Sequence, residues 1–264
     1  MDGGSKQLPT MFRHVGGERS DGQNRLLAGY LALVAGFVNS AGFICVGSFT
    51  SHVTGNVGRV ADDTALGQYQ AATFAGVMVL AFFLGAFVAS MFIESKVLGR
   101  LPYTYGALML AEAALLVAPI HVFPSFLPRP GDVQAAVLCL AMGMQNSYVT
   151  RLSGAVVRTT HLTGVLTDLG IEGARWFRYL RAKMSRGRFR LLWHAAHLEK
   201  PHIPKSALLV TVFVAFVMGS GNGALFAVHL GRRALLLPAG LLAAGGIVAL
   251  LSGRDLFRGR DSRR

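Results

Sequence analysis

Charged residues are scarce in this chain. They make up 15% of its 264 residues, whereas hydrophobic residues make up 52%. A soluble domain typically carries about 25% charged residues, so the composition argues against a soluble protein. Cysteine is rarer still, with Cys45 and Cys139 as the 2 in the sequence, and both lie in apolar runs. They predict small buried apolar residues, and neither a disulfide nor a metal site.

Long apolar runs dominate the rest of the sequence. A helix needs about 20 mostly apolar residues to cross a bilayer core, and six runs approach or meet that length: 26–46, 71–93, 104–122, 133–150, 206–228 and 234–251. The fourth is the weakest, because it is short and contains Gln145 and Asn146. We therefore predict an all-α integral membrane protein with a six-helix membrane domain (26–252), a disordered cytoplasmic tail before it (1–25) and a basic tail after it (253–264).

Positive charge is concentrated on one side of this arrangement. All but four of the 26 Lys and Arg residues fall in the first tail, the second-to-third loop, the fourth-to-fifth loop and the C-terminal tail. Short cytoplasmic loops retain Lys and Arg, so we expect both termini and the large loop (about 151–205) in the cytoplasm. Removing any one helix would put basic segments on both sides, so the bias also favours six crossings.

The large loop alternates basic residues with aromatic and aliphatic ones between Ile171 and Lys200. This pattern is typical of a basic helix that lies at the level of the lipid headgroups with its apolar face down. An ordinary cytoplasmic loop explains the pattern equally well. Under either interpretation the expected partners are the lipid bilayer and its anionic headgroups, and no nucleic acid.

Two segments of the sequence are near duplicates. Gly36, Asn39, Ser40, Thr50, His52, Thr54 and Gly55 correspond in order and type to Gly143, Asn146, Ser147, Thr159, His161, Thr163 and Gly164. The second copy lies three helices further along the chain than the first, so the copies would run in opposite directions across the membrane. Inverted repeats with interrupted helices are a known construction of transporters, with the binding site near the midplane. We therefore expect two inverted halves, about 26–122 and 133–251.

The polar residues of the duplicated segments are candidates for substrate binding or translocation. An amide inside a membrane helix either binds a substrate or makes an interhelical hydrogen bond. The histidines are suited to relaying a proton or binding a ligand, and equally to capping a helix. The threonines have the same two explanations. The candidates are Asn39, Ser40, His52, Thr54, Asn146, Ser147, His161 and Thr163.

Two acidic residues complete the candidate set. Glu112 is the only acid well inside an apolar run, and burying an ionisable group in a membrane costs several kcal/mol. It is either a carboxylate that couples protons or cations, or a protonated acid bonded to a neighbouring helix. Asp168 stands seven residues after His161, as part of a relay or as an acid favoured by a helix N-terminus. Asp62 and Asp63 are expected in a solvated extracellular loop. No cofactor and no metal site is predicted, because two histidines without a Cys or carboxylate beside both make a poor metal site.

The elements SHVTGN and VRTTHLTGVLTDLG, the second following a GMQNS helix, resemble those of the YoaK-like membrane proteins, the family of domain of unknown function 1275. The resemblance extends over about 25–253. It implies six transmembrane helices in a bacterial cytoplasmic membrane. It implies no activity, substrate or catalytic residue.

Three functions remain open from the sequence. The first is a secondary transporter or permease for a small solute, coupled to protons through Glu112, with a central site lined by Asn39, Asn146, His52 and His161. The second is a membrane enzyme acting on a lipid or lipid-linked substrate, with His161 and Asp168 as acid and base, although no hydrolase, metalloprotease or phosphate-loop motif supports it. The third is a non-catalytic scaffold that binds anionic lipid through the basic loop. The oligomeric state stays open, a homo-oligomer included.

Overall fold

A computed structural model describes residues 20–95, 101–121, 130–153, 159–185 and 201–261. Within these ranges the chain is all-α, with no strand. The helices are α1 (Asp21–Val46), α2 (Val53–Ala65), α3 (Tyr69–Glu94), α4 (Leu101–His121), α5 (Pro130–Leu152), α6 (Leu162–Ser185), α7 (Ile203–Leu230) and α8 (Leu236–Asp261). A short 3-10 helix, Gly231–Leu235, joins α7 to α8.

Four helical segments of the described residues are long and apolar enough to cross a membrane. They are Asp21–Val46, Tyr69–Glu94, Tyr103–His121 and Ile203–Ser252. The last comprises α7, the 3-10 turn and most of α8. Several long apolar helices in one chain indicate a membrane protein, so the all-helical prediction is confirmed at this level.

The first helix begins inside the segment that we expected to be a disordered tail (1–25). Ser20 accepts a hydrogen bond from the backbone N–H of Gln23, and the Gln23 side chain accepts one from the N–H of Ser20. This reciprocal capping box satisfies two N–H groups that a helix start leaves open. The helix therefore starts at Asp21, and the part of the expected tail before Ser20 lies outside the described residues.

Two further helices begin at the ends of the duplicated segments, and neither coincides with one of the six apolar runs. We expected Asp62 and Asp63 in a solvated loop, but both lie on α2, where Asp63 pairs with Arg59 at 3.7 Å. The other helix, α6, begins at Leu162, well before the basic stretch that starts at Ile171. Both helices alternate polar and apolar residues, so their hydropathy averages out and the criterion of long apolar runs overlooks them. Residues 186–200 of the basic loop lie outside the described residues.

The helices pack mainly in three pairs, α1 with α7, α3 with α5, and α4 with α8. Glycines at these contacts let the backbones approach closely, as is common where helices meet in lipid. A Cβ on Gly36 of α1 would overlap the carbonyl oxygen of Phe216 in α7, and a Cβ on Gly143 of α5 would overlap that of Phe82 in α3. The pairs therefore depend on backbone-to-backbone contact that no larger residue permits.

The helix α5 lies in the middle of the bundle, against α1, α3 and α4. Its buried amides donate to neighbouring helices, Gln145 to the carbonyl of Leu31 at 3.0 Å and Gln134 to that of Pro119 at 3.3 Å, while the side-chain oxygen of Gln145 has no hydrogen-bond partner among the described atoms. A helix surrounded by protein needs no continuous apolar surface. This explains why the run containing Gln145 was the weakest of the six and why α5 is absent from the four apolar segments.

Candidate functional site

The first copy of the duplicated segment forms a turn that closes back on α1. The helix ends at Val46, and Gly47 follows with a φ of 74°, a left-handed conformation that glycine adopts without steric cost. The side-chain oxygen of Asn39 then accepts hydrogen bonds from the N–H of Ser51 at 3.1 Å and from its hydroxyl at 3.0 Å. The half-buried amide thus holds the returning chain against the helix.

The second copy makes an equivalent contact at the end of α5. The side-chain oxygen of Asn146 accepts a hydrogen bond from the hydroxyl of Thr160 at 2.8 Å, and its amide donates to the carbonyl of Met142 at 3.0 Å. Thr160 occupies the place in the second copy that Ser51 occupies in the first. Each Asn thus binds the loop of its own copy, and no hydrogen bond among the described residues joins Asn39 to Asn146. We refer to the two groups as the Asn–His units: Asn39, Thr50, Ser51, His52 and Gly55, and Asn146, Thr159, Thr160, His161 and Gly164.

Each Asn–His unit contains one buried threonine with an unsatisfied hydroxyl. Thr50 is 1% exposed and Thr159 is 0% exposed, and neither Oγ1 has a hydrogen-bond partner among the described atoms. A buried polar group without a partner costs about 1–3 kcal/mol. The same unsatisfied group in both units marks two equivalent positions where a water molecule or a polar solute atom would be stabilised.

Each Asn–His unit also places an imidazole ring against a glycine three residues further on. His52 directly precedes α2 and His161 directly precedes α6, and both side chains are exposed. A Cβ on Gly55 or on Gly164 would overlap the histidine ring of the same unit. The His-x-x-Gly spacing therefore has a steric cause, because only glycine leaves room for the ring at the start of the helix.

Four more candidates of the duplicated segments are hydroxyl residues outside this pattern of contacts. Ser147 lies with its hydroxyl 2.8 Å from that of Ser90 in α3. Thr54 and Thr163 are exposed in the first turns of α2 and α6. Ser40 is half-buried near the C-terminal end of α1. The structure thus places all four near the ends of helices that belong to the two copies.

Asp168 lies on α6 and forms an ion pair with Lys205 at the start of α7, with 3.5 Å between the charged atoms. No hydrogen bond among the described residues joins Asp168 to His161. The pair proposed as acid and base of an enzyme is therefore not in contact in this structure. Asp168 instead connects two helices at one end of the bundle.

Glu112 is enclosed in the interior of the bundle. Its side chain is 0% exposed. One carboxyl oxygen accepts a hydrogen bond from the hydroxyl of Tyr148 on α5 at 2.6 Å, and the other has no hydrogen-bond partner among the described atoms. Hydrogen bonds from a hydroxyl group to a carboxylate are short and are among the stronger hydrogen bonds in proteins. One acceptor site of the carboxyl stays available.

Tyr148 is the functional-site residue that the sequence analysis missed. It is 0% exposed and directly follows the Asn146-Ser147 pair of the second copy. A tyrosine hydroxyl buried in an apolar run needs a partner, and Glu112 was the one acid deep in such a run. That complementary pair was the available signal, although nothing in the sequence placed α4 beside α5.

Two clefts formed by described residues are lined by none of the candidate residues. One lies between α3 and α5 and has a volume of about 660 Å³; its lining includes Tyr69 and Asp132. The other, of about 540 Å³, lies between α4 and α8. The carboxyl of Glu112 is itself closed off from solvent, with 0% of the residue exposed.

These features define a class of protein: an all-helical membrane protein with a duplicated Asn–His unit and a carboxyl, that of Glu112, enclosed in the interior of the bundle. A family model described as "Protein of unknown function (DUF1275)" matches residues 27–248 of the chain. The chain belongs to this family, as the resemblance of its motifs implied. No curated protein and no solved structure matches the chain.

Proposed function

We propose that the protein crosses a bacterial cytoplasmic membrane six times, as two inverted halves, and carries a small solute together with protons through the group around Glu112. The crossings of the first half are α1, α3 and α4, and those of the second are α5, α7 and α8. In this arrangement α2 and α6 lie at opposite membrane surfaces, with both chain termini in the cytoplasm.

The direction of the helices supports the inversion. Along α1 and α7 the contacts advance together, from Gly29 against Thr211 to Phe37 against Gly223, so these two helices run parallel. The chain reverses between α7 and α8, because the backbone carbonyl of Leu241 in α8 accepts a hydrogen bond from Tyr30, back near the start of α1. The helix α1 is thus antiparallel to α8.

The helix α4 connects this comparison to the second copy. It runs antiparallel to α5, since Glu112 contacts Tyr148 while the later Pro119 contacts the earlier Gln134. It also runs antiparallel to α8, because Gly106 of α4 lies against Leu250 of α8, while the later Leu110 of α4 lies against the earlier Gly246 of α8. The helices α5 and α8 therefore share one direction, and α1, which carries the first Asn–His copy, opposes α5, which carries the second.

The glycine contacts support a two-fold relation between the halves. In α1 against α7, glycines 36 and 219 face the carbonyls of residues 216 and 33; in α5 against α3, glycines 143 and 85 face the carbonyls of residues 82 and 140. The spacing along each helix is the same in both pairs. At the α4–α8 contact the relation is reciprocal, with a Cβ on Gly106 lying 2.8 Å from the carbonyl of Gly246 and a Cβ on Gly246 lying 2.9 Å from that of Gly106.

The carboxyl of Glu112 carries the functional part of the proposal. An ionisable group enclosed in a membrane bundle is costly to keep, which makes it a functional candidate by default. Its bond from Tyr148 is compatible with loss and gain of a proton, and its unpaired oxygen offers an acceptor to a solute or water molecule. Inverted halves give such a group a route to each side in turn, by rocking of one half against the other.

The Asn–His units have a supporting role in this mechanism. Each holds the end of a membrane helix at one surface through its Asn side chain, and each places an exposed imidazole there. Histidine exchanges protons near neutral pH. His52 on the outer side and His161 on the cytoplasmic side would pass protons between water and the interior.

Proton coupling is tested in proteoliposomes that contain the purified full chain and a trapped pH-sensitive dye. Amino acids, amines, monocarboxylates and sugars are added one at a time, and the solute that changes the luminal pH is then used in radiolabelled form. We expect Glu112→Gln to abolish accumulation driven by a pH gradient while exchange of labelled for unlabelled solute continues, because exchange needs no net proton movement. The control is Glu94→Gln, which removes an exposed carboxylate.

Two outcomes would reject the transport proposal. One is unchanged gradient-driven accumulation in the Glu112→Gln protein, which would remove this carboxyl from the coupling. The other is the absence of any solute-dependent pH change across all four classes of solute.

The inverted topology has a separate test. In a protein with Cys45 and Cys139 replaced by alanine, a single cysteine is introduced at the exposed residue Ala65 of α2 or Ala174 of α6. A membrane-impermeant maleimide added to intact cells should label the cysteine at 65 and leave the one at 174 unlabelled until the membrane is permeabilised. Labelling of both from the same side would exclude opposite orientation of the halves.

A further inference from the structure

The helix α6 is attached to the first turn of a membrane-crossing helix. Glu172 of α6 is 1% exposed. Its carboxyl oxygens lie 2.7 Å from the guanidinium of Arg175 and 3.4 Å from the hydroxyl of Ser206, which donates to it. Trp176 donates from its indole N–H to the same hydroxyl at 3.2 Å. Because Ser206 lies at the start of α7, and the apolar segment begins at Ile203, these contacts hold α6 at the level where the membrane crossing ends.

The side of α6 that faces away from α7 has two different surfaces. Successive residues of a helix are turned by about 100°, which places Leu166, Phe177 and Leu180 on one outward sector and Arg178 and Arg181 on the next. The three apolar side chains are 50%, 65% and 48% exposed, and both arginines are exposed. A helix with aromatic and aliphatic residues beside a row of arginines is typical of one lying in the plane of the membrane interface.

We propose that this outward side of α6 is a binding surface for anionic phospholipid headgroups, with Phe177 and Leu180 inserted among the acyl chains and Arg178 and Arg181 on the phosphates. The positive charges of the two arginines are complementary to the negative charges of the phosphates, which favours anionic lipid as the ligand of this surface. Guanidinium groups pair with phosphate oxygens through two N–H groups at once. The level of the surface, set by Glu172 and Ser206, is that of the headgroups. The proposal does not depend on transport by Glu112.

The helix α2 provides the contrast within the same chain. It follows the first Asn–His unit as α6 follows the second, yet its charged residues are Arg59, Asp62 and Asp63, so its net charge is negative where that of α6 is positive. Anionic lipid would therefore bind one surface of the molecule and not the other. Such an asymmetry would orient and stabilise the protein in a membrane whose cytoplasmic leaflet is negatively charged.

The test uses fluorescence of the full chain in nanodiscs. Trp176 and Trp193, the 2 tryptophans in the sequence, are replaced by phenylalanine, and Phe177, which is 65% exposed on the outward side of α6, is replaced by tryptophan. Nanodiscs of phosphatidylcholine receive a small fraction of brominated lipid, either phosphatidylglycerol or phosphatidylcholine, and bromine quenches the indole from lipids in contact with α6. We expect brominated phosphatidylglycerol to quench more strongly, with a preference that decreases as salt is added.

Variants separate the surface from general electrostatics. Replacing both Arg178 and Arg181 by glutamine should lower the preference by roughly five-fold for each arginine. Replacing Arg232 and Arg233 in the 3-10 turn by glutamine removes the same charge elsewhere and should leave the preference unchanged. Inorganic phosphate should lower the preference no more than sodium chloride of the same ionic strength, since a single soluble ion lacks the inserted acyl chains. Equal quenching by the two lipids, a preference unchanged in the α6 variant, or a larger loss with phosphate than with chloride would overturn the proposal.

Discussion

The contact between α4 and α8 allows a stringent test of the helix packing. At Gly106 an added Cβ would lie 2.8 Å from the carbonyl oxygen of Gly246 and 2.8 Å from Cγ of Leu250; at Gly246 it would lie 2.9 Å from the carbonyl of Gly106. Backbone atoms cannot rotate away as a flexible side chain can. Either Gly→Ala change must therefore move the two helices apart by about half an ångström, and overpacking of this kind typically costs about 1–3 kcal/mol.

A glycine of α8 that makes no close contact provides the control, and its replacement by alanine should stabilise the protein. Gly240 of α8 has nothing within 4 Å of an added Cβ, so Gly240→Ala changes only the helix preference of the residue, a gain of about 0.5–1 kcal/mol. Gly106→Ala has the same gain in helix preference, so the Gly106→Ala and Gly240→Ala proteins should differ by the overpacking cost alone, roughly 1–3 kcal/mol in their free energies of unfolding. The Gly106→Ala/Gly246→Ala double variant should lose less than the two single losses together, because both changes open the same contact.

The assay is unfolding of the purified protein in mixed micelles as the mole fraction of dodecyl sulfate is raised, followed by circular dichroism. Detergent exchange at a fixed micelle composition checks that the transition is reversible. Equal stability of the Gly106→Ala and Gly240→Ala proteins would refute the close approach of α4 and α8. Fully additive losses in the double variant would mean that the two glycines do not share one contact.

Two further predictions concern the ends and the middle of the bundle. Gly55→Ala should displace the imidazole of His52 and shift its NMR signals. Gly58→Ala, three residues further along α2 with open space around it, is the control and should leave these signals in place. Identical spectra for both variants would reject the steric role of the glycine. Gln145→Leu should destabilise the protein by about 0.6 kcal/mol, the average for an interhelical hydrogen bond in a membrane protein, because it removes the 3.0 Å bond to the carbonyl of Leu31; unchanged dodecyl sulfate unfolding would show that this bond contributes no stability.

The predicted crossings agree with the observed helices where apolar residues are continuous along the sequence. The expected runs 71–93 and 206–228 appear as Tyr69–Glu94 and Ile203–Leu230, because helices that face lipid on most sides must be apolar along their whole length. The correspondence fails where a helix is amphipathic. Asp62 was expected in a loop and lies on α2, since half-polar helices at a surface have no long apolar run to reveal them.

In the candidate site, too, the sequence predicted contacts between residues close along the chain but not contacts between distant helices. The duplicated pattern of Asn39 and Asn146 in the sequence corresponds to a duplicated hydrogen bond, since each Asn reaches a hydroxyl only a loop away along the chain. The contact of Glu112 with Tyr148 joins residues on different helices. Its prediction needed the packing of α4 against α5, and no local pattern carries that information.

The sequence by itself determined the helical membrane character, the concentration of positive charge in a few segments and the existence of two matching units, because length, hydropathy and spacing act locally along the chain. Only the tertiary structure decided which helices meet, because backbone contacts at glycines depend on the shapes of two surfaces that lie far apart in sequence. It also decided that the carboxyl of Glu112 is enclosed with one oxygen bonded to Tyr148 and one without a partner. Enclosure depends on every helix around that carboxyl and on no single segment.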